Sequence, residues 1–133
     1  MLDQFTLAYI QCALFVSIDD NENPLEDNYS ITNLAPETLS KITTDCHAFI
    51  IANIADIEAI PDWRGEADAC GRSSYSNYEC AGHDFWFTRN GHGVGFWCRD
   101  EISKDVRDRL TKSSKAFGEC SLYVGNDGLL YLS

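Results

Sequence analysis

Most of the side chains that could do chemistry lie in one short stretch, residues 82–97, with the sequence GHDFWFTRNGHGVGFW. Histidine supplies a base that titrates near neutral pH, aspartate could orient that base, and arginine could stabilise a developing negative charge. The candidates for such acid–base chemistry are His83, Asp84, Arg89 and His92. Adjacent residues of a β-strand point to opposite faces, so His83 and Asp84 cannot form a dyad on a strand, whereas His83 and His92 could face each other across a turn. The stretch contains no GxSxG motif for a nucleophile.

A zinc site is a second interpretation of the same region. Cys80, His83, His92 and Cys98 occur in an order that could give tetrahedral coordination. Cys80 and His83 have the spacing of a zinc half-site, but the spacing from His92 to Cys98 is looser than usual. A third interpretation is structural, with aromatic rings that fill a sheet, glycines that allow close packing, and the two histidines at a polar rim. We expect no metal ion and no other cofactor.

Hydrophobic periodicity predicts three helices, over residues 2–17, 36–60 and 104–117. Pro36 is typical of a first helical position, and Glu37 suits the positive end of the helix dipole. The first predicted helix is apolar on all sides, which is compatible with a buried helix or with a homodimer.

Two segments predict β-hairpins. Strand-forming residues flank Asn90-Gly91 in residues 83–98, and residues 121–124 and 129–132 flank a glycine-rich turn. Residues 62–81 show no clear period and predict an irregular loop. The sequence therefore predicts an α+β fold with two N-terminal helices, a β-hairpin, a third helix and a C-terminal β-hairpin, in which a small antiparallel sheet is covered by helices.

The chain has 133 residues, which suits a single domain, and a formal net charge of −11 that is distributed unevenly. Residues 1–62, the acidic helical half, hold eleven acids and one base, whereas the mixed half, residues 63–133, holds ten acids and nine bases. A surface of this sign repels nucleic acids and anionic lipids, so we expect no direct nucleic-acid binding and no membrane binding. It attracts a basic surface on another protein. The alternative is a solvated acidic surface that only keeps the protein soluble.

The densest acidic run is DDNENPLED, residues 19–27, with five acids and no base. The candidate binding residues are Asp19, Asp20, Glu22, Glu26 and Asp27 in this run, Asp45, Asp56 and Glu58 on the second predicted helix, and Arg89 and His92 on an exposed rim of the first hairpin. The six cysteines form no CxxC pair, and the first residues do not resemble a secretory signal. We therefore expect free thiols and a soluble intracellular protein.

The segment AGHDFWFTRNGHGVGFWCRD, residues 81–100, resembles a motif of a group of small proteins encoded by tailed bacteriophages and related mobile elements. The similarity extends to residues 28–53, which resemble the acidic helical part of the group, and to residues 109–133, which resemble its C-terminal helix and hairpin. No activity is established for this group. Cys98 stands where the group has an aspartate, and Cys80 stands where the group has no fixed cysteine, so the resemblance weakens the zinc interpretation.

The resemblance implies an accessory bacteriophage protein in the cytoplasm of the host bacterium. Together with the charge, it leads us to expect a non-enzymatic acidic protein that binds a basic host protein, as a DNA mimic or an inhibitor of a defence enzyme does. The alternative is a small enzyme or ligand-binding domain that uses the His83, Asp84, Arg89 and His92 cluster.

Overall fold

The computed structural model describes residues 2–68 and 71–133. This part of the chain contains four helices, α1 Gln4–Val16, α2 Pro36–Glu58, α3 Asn77–Arg89 and α4 Lys104–Lys115. It also contains two antiparallel hairpins, β1 Trp63–Arg64 with β2 Ser74–Tyr75, and β3 Leu122–Val124 with β4 Leu130–Leu132. The predicted α+β class is confirmed. The predicted single sheet is wrong, because within these residues the two hairpins form separate two-stranded sheets.

Three predicted helices and the C-terminal hairpin are confirmed, with small shifts at their ends. Helix α1 begins after Asp3, whose carboxylate accepts a hydrogen bond of 2.7 Å from the backbone N–H of Thr6. Helix α2 has Pro36 at its first position and bends at Asn53, where φ is −130° and ψ is 20°. Within the described residues, no helix combines the length and the apolar character that a membrane crossing requires.

The predicted hairpin over residues 83–98 is wrong, because its first predicted strand, residues 83–89, belongs to helix α3, and Phe96–Cys98 in the second forms a short 3-10 helix. The helix begins with a capping box, in which the Glu79 N–H donates to the Ser76 hydroxyl (3.2 Å) and the Ser76 N–H donates to the Glu79 carboxylate (3.0 Å). The region predicted as an irregular loop thus contains the start of this helix as well as the short β1–β2 hairpin. The sequence signal for the helix is the serine followed three residues later by glutamate.

The Asn90-Gly91 pair ends helix α3 instead of turning a hairpin. Gly91 has φ of 68°, a left-handed conformation that glycine adopts without strain. The His92 N–H donates to the Phe87 carbonyl (3.0 Å) and the Gly91 N–H donates to the Thr88 carbonyl (3.3 Å), which is the Schellman pattern. The two signals overlap because both a type I′ turn and a helix C-terminus use glycine at positive φ.

Helix α3 packs closely across helix α1 at Gly82. A Cβ atom at this position would lie 2.3 Å from the Phe5 carbonyl oxygen and 3.1 Å from the Ala8 Cβ. The close approach brings Phe85 of α3 against Phe49 of α2, with ring centroids 4.2 Å apart. Phe85, Trp86 and Phe96 of the central motif are therefore buried in the core and do not alternate across a sheet, whereas Trp97 is 48% exposed.

Five cysteines, Cys12, Cys46, Cys80, Cys98 and Cys120, carry free thiols, which confirms the prediction for them. Cys70 lies outside the described residues. Burial raises the pKa of Cys80 to about 11 and raises that of Cys12 and Cys46 further. Cys12 and Cys46 are buried in the core and behave as small apolar residues.

Candidate functional site

Arg89, predicted at an exposed rim, is buried with 5% of its surface exposed. Its guanidinium donates to the Asp45 carboxylate (3.0 Å) and to the Tyr9 hydroxyl (3.1 Å). It also donates to two backbone carbonyls that follow helix α4, those of Gly118 (2.8 Å) and Phe117 (3.1 Å). These contacts join α1, α2 and α3 to the end of α4, so Arg89 is part of the framework and does not face a ligand site.

Asp84 is also buried, and its carboxylate is hydrogen-bonded to another side chain. Arg99 donates two hydrogen bonds to its carboxylate, from Nε (2.9 Å) and from a terminal nitrogen (2.7 Å). Burial raises the pKa of Asp84, and the Arg99 guanidinium opposes that rise. The bidentate pair fixes the segment after α3 onto the helix, and it leaves Asp84 without a direct role as the orienting partner of His83.

His92 lies apart from His83, in another cleft. Its ring packs edge-on against Phe87, with centroids 5.4 Å apart, and it lines a cleft of about 370 Å³ together with Asn90 and Glu119. The Cys98 thiol donates to the Gly95 carbonyl at 3.1 Å. Throughout residues 2–68 and 71–133, no three histidine, cysteine, aspartate or glutamate side chains are placed to hold a metal ion. The zinc interpretation, with Cys80, His83, His92 and Cys98 as ligands, is therefore not supported by their placement.

His83 lines a cleft whose walls carry both apolar and polar side chains. The cleft has a volume of about 480 Å³ and lies between helices α1 and α3, the residue 19–27 loop and the β1–β2 hairpin. We call it the His83 cleft, and it is lined by Cys12 and Phe15 of α1, Glu26 of the loop, Arg72 and Tyr75 of the hairpin region, and His83 and Phe87 of α3, among others. Phe15 is 46% exposed, so the cleft presents an aromatic ring to solvent at its edge.

The electrostatics of the cleft favour a neutral imidazole. Burial lowers the pKa of His83, and the nearby carboxylates of Asp84 and Glu79 only partly offset this effect. The ring of His83 packs edge-on against Tyr75, with centroids 5.0 Å apart. Arg72 of the lining is held by Glu79, with two hydrogen bonds of 2.7 and 3.2 Å, and lies 4.3 Å from the centre of the Tyr75 ring. The charge of Arg72 is therefore compensated inside the wall.

The acidic run 19–27, which we call the acidic loop, has a defined backbone. Asp19 is half-buried, and its carboxylate accepts hydrogen bonds from the backbone N–H groups of Asn21 (2.8 Å) and Asn23 (3.0 Å). Leu25 is fully buried and anchors the loop in the core. The other four acids of the loop are exposed, namely Asp20, Glu22, Glu26 and Asp27. The loop thus presents its carboxylates from a fixed position beside the His83 cleft.

The three predicted acids of helix α2 differ from the loop. Asp45 is buried between Lys41 (2.9 Å) and Arg89 (3.0 Å), so its inclusion in an acidic surface is wrong. Asp56 accepts two hydrogen bonds from Arg109, at 2.8 and 2.9 Å, which neutralise it. Glu58 is exposed and accepts a hydrogen bond from the Tyr78 hydroxyl. The acidic surface is therefore concentrated in the loop and is not spread along α2.

The sequence predictions missed the walls of the His83 cleft. Arg72 and Tyr75 lie in the segment predicted to be irregular, and no local pattern indicates that they face α3. His83 and Phe87 are spaced four residues apart, which places them on one face of a helix once that segment is recognised as helical. Because a β-strand was predicted for this segment, the helical spacing of His83 and Phe87 was not recognised.

Comparisons with known proteins do not assign a function to these clefts. Comparison of the chain with models of protein families, with curated proteins and with solved structures found no match. The function is therefore argued from the side chains and clefts themselves.

Proposed function

We propose that this protein is an accessory bacteriophage protein that binds a basic segment of a host protein through the acidic loop and the His83 cleft. The observation that carries the proposal is the position of Glu26, which belongs to the acidic loop and lines the cleft at the same time. A single partner segment could then contact the exposed carboxylates and the aromatic walls together. The phage origin is supported by the resemblance of residues 81–100 and by its extension to residues 28–53 and 109–133.

The charges of the loop are available to a partner. In residues 2–68 and 71–133, none of the five loop acids forms an ion pair with a basic side chain. Asp45 and Asp56, by contrast, are already paired with arginines of the same chain. Unpaired carboxylates on a fixed backbone attract a basic surface over a distance and lose little conformational freedom when it binds.

The lining of the cleft suits the side chains of lysine and arginine. These residues have an apolar stem and a charged end group, which favours a site with both apolar and acidic walls. Phe15 and Phe87 offer aromatic rings to the stem and to the cation, and Glu26 offers a carboxylate to the end group. The lowered pKa of His83 leaves its imidazole neutral near neutral pH, so that it accepts a hydrogen bond without repelling a cation.

The catalytic alternative receives no comparable support from the geometry. Of its four residues, Arg89 and Asp84 are buried and held by other side chains, and His92 lines a different cleft from His83. A base, its orienting group and an anion-stabilising group must lie within hydrogen-bond reach of one reacting group. His83 and Asp84 do share a smaller cleft of about 170 Å³, but Asp84 is held there by Arg99, and neither Arg89 nor His92 joins them.

The test is a quantitative capture experiment with matched charge reversals. Tagged protein is incubated with lysate of the host bacterium at low and high salt, and the retained proteins are identified and then purified for affinity measurement. The variant Glu22→Lys/Glu26→Lys changes the acidic loop, and the control Glu101→Lys/Glu119→Lys makes the same change of net charge at exposed acids on the other half of the chain. We expect the loop variant to bind the retained basic protein about tenfold more weakly, because two attractive contacts become repulsive.

Two results would contradict the proposal. One is equal loss of binding in the loop variant and the control, which would show that only net charge matters. The other is the absence of a basic protein whose retention decreases as salt increases. A Phe15→Ser variant that leaves the affinity unchanged would remove the cleft, but not the loop, from the binding surface.

A further inference from the structure

A second, smaller cleft shares part of its wall with the His83 cleft. It has a volume of about 170 Å³, and we call it the Arg99 cleft. Its polar and aromatic lining includes Trp63 and Tyr75 of the β1–β2 hairpin, His83 and Asp84 of α3, and Arg99 and Glu101 of the chain that follows the central motif. Clefts for drug-sized ligands measure roughly 300–1,000 Å³, so this one suits a molecule of one or two fused rings.

Arg99 is held along one edge of its guanidinium. Its Nε and Nη2 donate to the two carboxylate oxygens of Asp84, at 2.9 and 2.7 Å. Within residues 2–68 and 71–133, Nη1 has no hydrogen-bond acceptor, and Nη2 keeps a second N–H group. The Arg99 side chain is 34% exposed, whereas that of Asp84 is 4% exposed. The buried carboxylate therefore fixes the plane of the guanidinium, and the end formed by Nη1 and Nη2 remains able to donate two parallel hydrogen bonds.

The charges around the cleft disfavour an anionic ligand. The pair of Arg99 and Asp84 is neutral, and the exposed Glu101 adds a negative charge. Burial lowers the pKa of His83, so its imidazole is neutral near neutral pH. Arg99 is thus the one cation among the described residues of the lining, and its charge is already balanced.

A ligand that covers the end of Arg99 must supply acceptors for it. A buried N–H group without an acceptor costs about 1–3 kcal/mol. In the described part of the chain, Glu101 forms no ion pair, so its carboxylate favours a hydrogen-bond donor on another edge of the ligand. These two requirements describe a neutral molecule with adjacent acceptors on one edge and donors on another.

The aromatic wall of the cleft favours a planar ligand. Trp63 is 38% exposed, and its ring centroid lies 5.6 Å from that of Tyr75. Stacking of a nucleic-acid base on an aromatic side chain contributes about 1–3 kcal/mol and depends little on which base is stacked. Stacking therefore supplies affinity, and the hydrogen bonds at Arg99 and Glu101 supply the choice of ligand.

We propose that the Arg99 cleft binds the base of a guanine nucleoside, with O6 and N7 on the end of Arg99, the N1–H and 2-amino groups on Glu101, and the ring plane against Trp63. Adjacent O6 and N7 acceptors are the usual partners of an arginine fork. Adenine has an amino group in place of O6, so two donors would face each other. The ribose hydroxyls both donate and accept, and His83, whose ring nitrogens form no hydrogen bond within residues 2–68 and 71–133, can take either role.

The nucleoside site and the proposed partner surface differ in their decisive residues. Phe15 and Glu26 line the His83 cleft and do not line the Arg99 cleft. Nucleoside binding therefore does not depend on the host-protein binding proposed above.

The test is isothermal titration calorimetry of the full chain with guanosine, adenosine and guanosine monophosphate. We expect guanosine to bind with a Kd below about 1 mM. Adenosine should bind about tenfold more weakly or worse, because its amino group opposes the donors of Arg99. Guanosine monophosphate should bind no more tightly than guanosine, because the phosphate meets the charge of Glu101 and of an acidic chain.

Matched variants test the named contacts. Glu101→Ala and Trp63→Ala should each weaken guanosine binding by about tenfold. Their controls are Asp100→Ala and Trp97→Ala, which change an exposed acid and an exposed tryptophan outside the cleft lining and should leave the affinity unchanged. Circular dichroism checks that each variant is folded.

Arg99→Lys tests the fork itself. Lysine keeps a positive charge beside Asp84 but cannot donate two parallel hydrogen bonds, so the preference for guanosine over adenosine should be lost. The proposal is overturned if guanosine does not bind at about 1 mM, if adenosine binds equally well, or if guanosine monophosphate binds more tightly than guanosine. It is also overturned if a control variant weakens binding as much as its partner does.

Discussion

Replacement of Arg89 by methionine tests whether this residue is part of the framework or of a site. The substitution keeps an apolar stem and removes the guanidinium, so that it deletes the hydrogen bonds to Asp45, Tyr9 and two carbonyls. Removing one partner of a buried ion pair costs about 3–5 kcal/mol. Lys41 remains 2.9 Å from Asp45 and compensates part of the charge, so we expect a loss near the lower end, about 3 kcal/mol.

The measurement is the free energy of unfolding from guanidinium chloride titrations, followed by circular dichroism. A loss of about 3 kcal/mol corresponds to a decrease in Tm of about 10 °C for a chain of this length. The matched control is Arg107→Met, because Arg107 lies 3.7 Å from the fully exposed Asp100, and a surface pair of this kind contributes about 0–1 kcal/mol. The double variant Asp45→Asn/Arg89→Met should lose less than the sum of the single variants, since the two side chains interact directly.

The reasoning would be refuted by a loss below about 1 kcal/mol in Arg89→Met, similar to the control. Arg89 would then not be the buried link among the four helices, and its guanidinium would be free for the site that the sequence suggested. A large loss together with full additivity in the double variant would show that Asp45 is not the partner that matters.

Three further predictions concern other positions. Gly82→Ala should lower the free energy of unfolding by about 1–3 kcal/mol, because the added methyl group meets the backbone of α1, whereas Gly93→Ala, with no atom within 4 Å, should be nearly neutral in the same titration. Because the pKa of His83 is lowered in the folded chain, the unfolded chain takes up a proton at a higher pH than the folded chain does. The free energy of unfolding should therefore decrease as pH falls below about 6.5. Urea titrations at a series of pH values should show a flatter pH dependence for the variant His83→Gln. Burial raises the pKa of Cys46, which is 0% exposed, so its thiol should react with iodoacetamide only after unfolding, and its labelling in the native protein, detected by mass spectrometry, would contradict this burial.

The prediction of the central motif failed for a definable reason. Phe85, Trp86 and Phe87 are residues that strands favour, and a glycine after asparagine is typical of a hairpin turn. Tertiary contacts decided otherwise, because Gly82 lets α3 approach α1 and the aromatic rings gain more by packing between three helices. The capping box at Ser76 was a local signal for the helix, but it lies in a segment without hydrophobic periodicity.

The placement of charge also depends partly on the sequence and partly on the tertiary structure. The sequence locates the acids, and four of the five acids of the acidic loop are exposed, with no base near them along the chain. Whether an acid on a helix stays available depends on residues far away in the sequence. Asp45 meets Arg89, 44 positions later, and Asp56 meets Arg109, 53 positions later. Such pairs cannot be inferred from periodicity.

The sequence by itself determined the α+β class, helices α1, α2 and α4, the C-terminal hairpin and the concentration of negative charge before residue 62. Each of these depends on local preference, on hydrophobic periodicity or on composition, which are properties of short segments. Only the tertiary structure decided that residues 82–89 of the motif belong to a helix with a Schellman end, that Arg89 and Asp84 hold helices together, and that His83 lines a cleft beside the acidic loop. These features arise from contacts between residues distant in the chain, and such contacts override the weak preferences of the segments that make them.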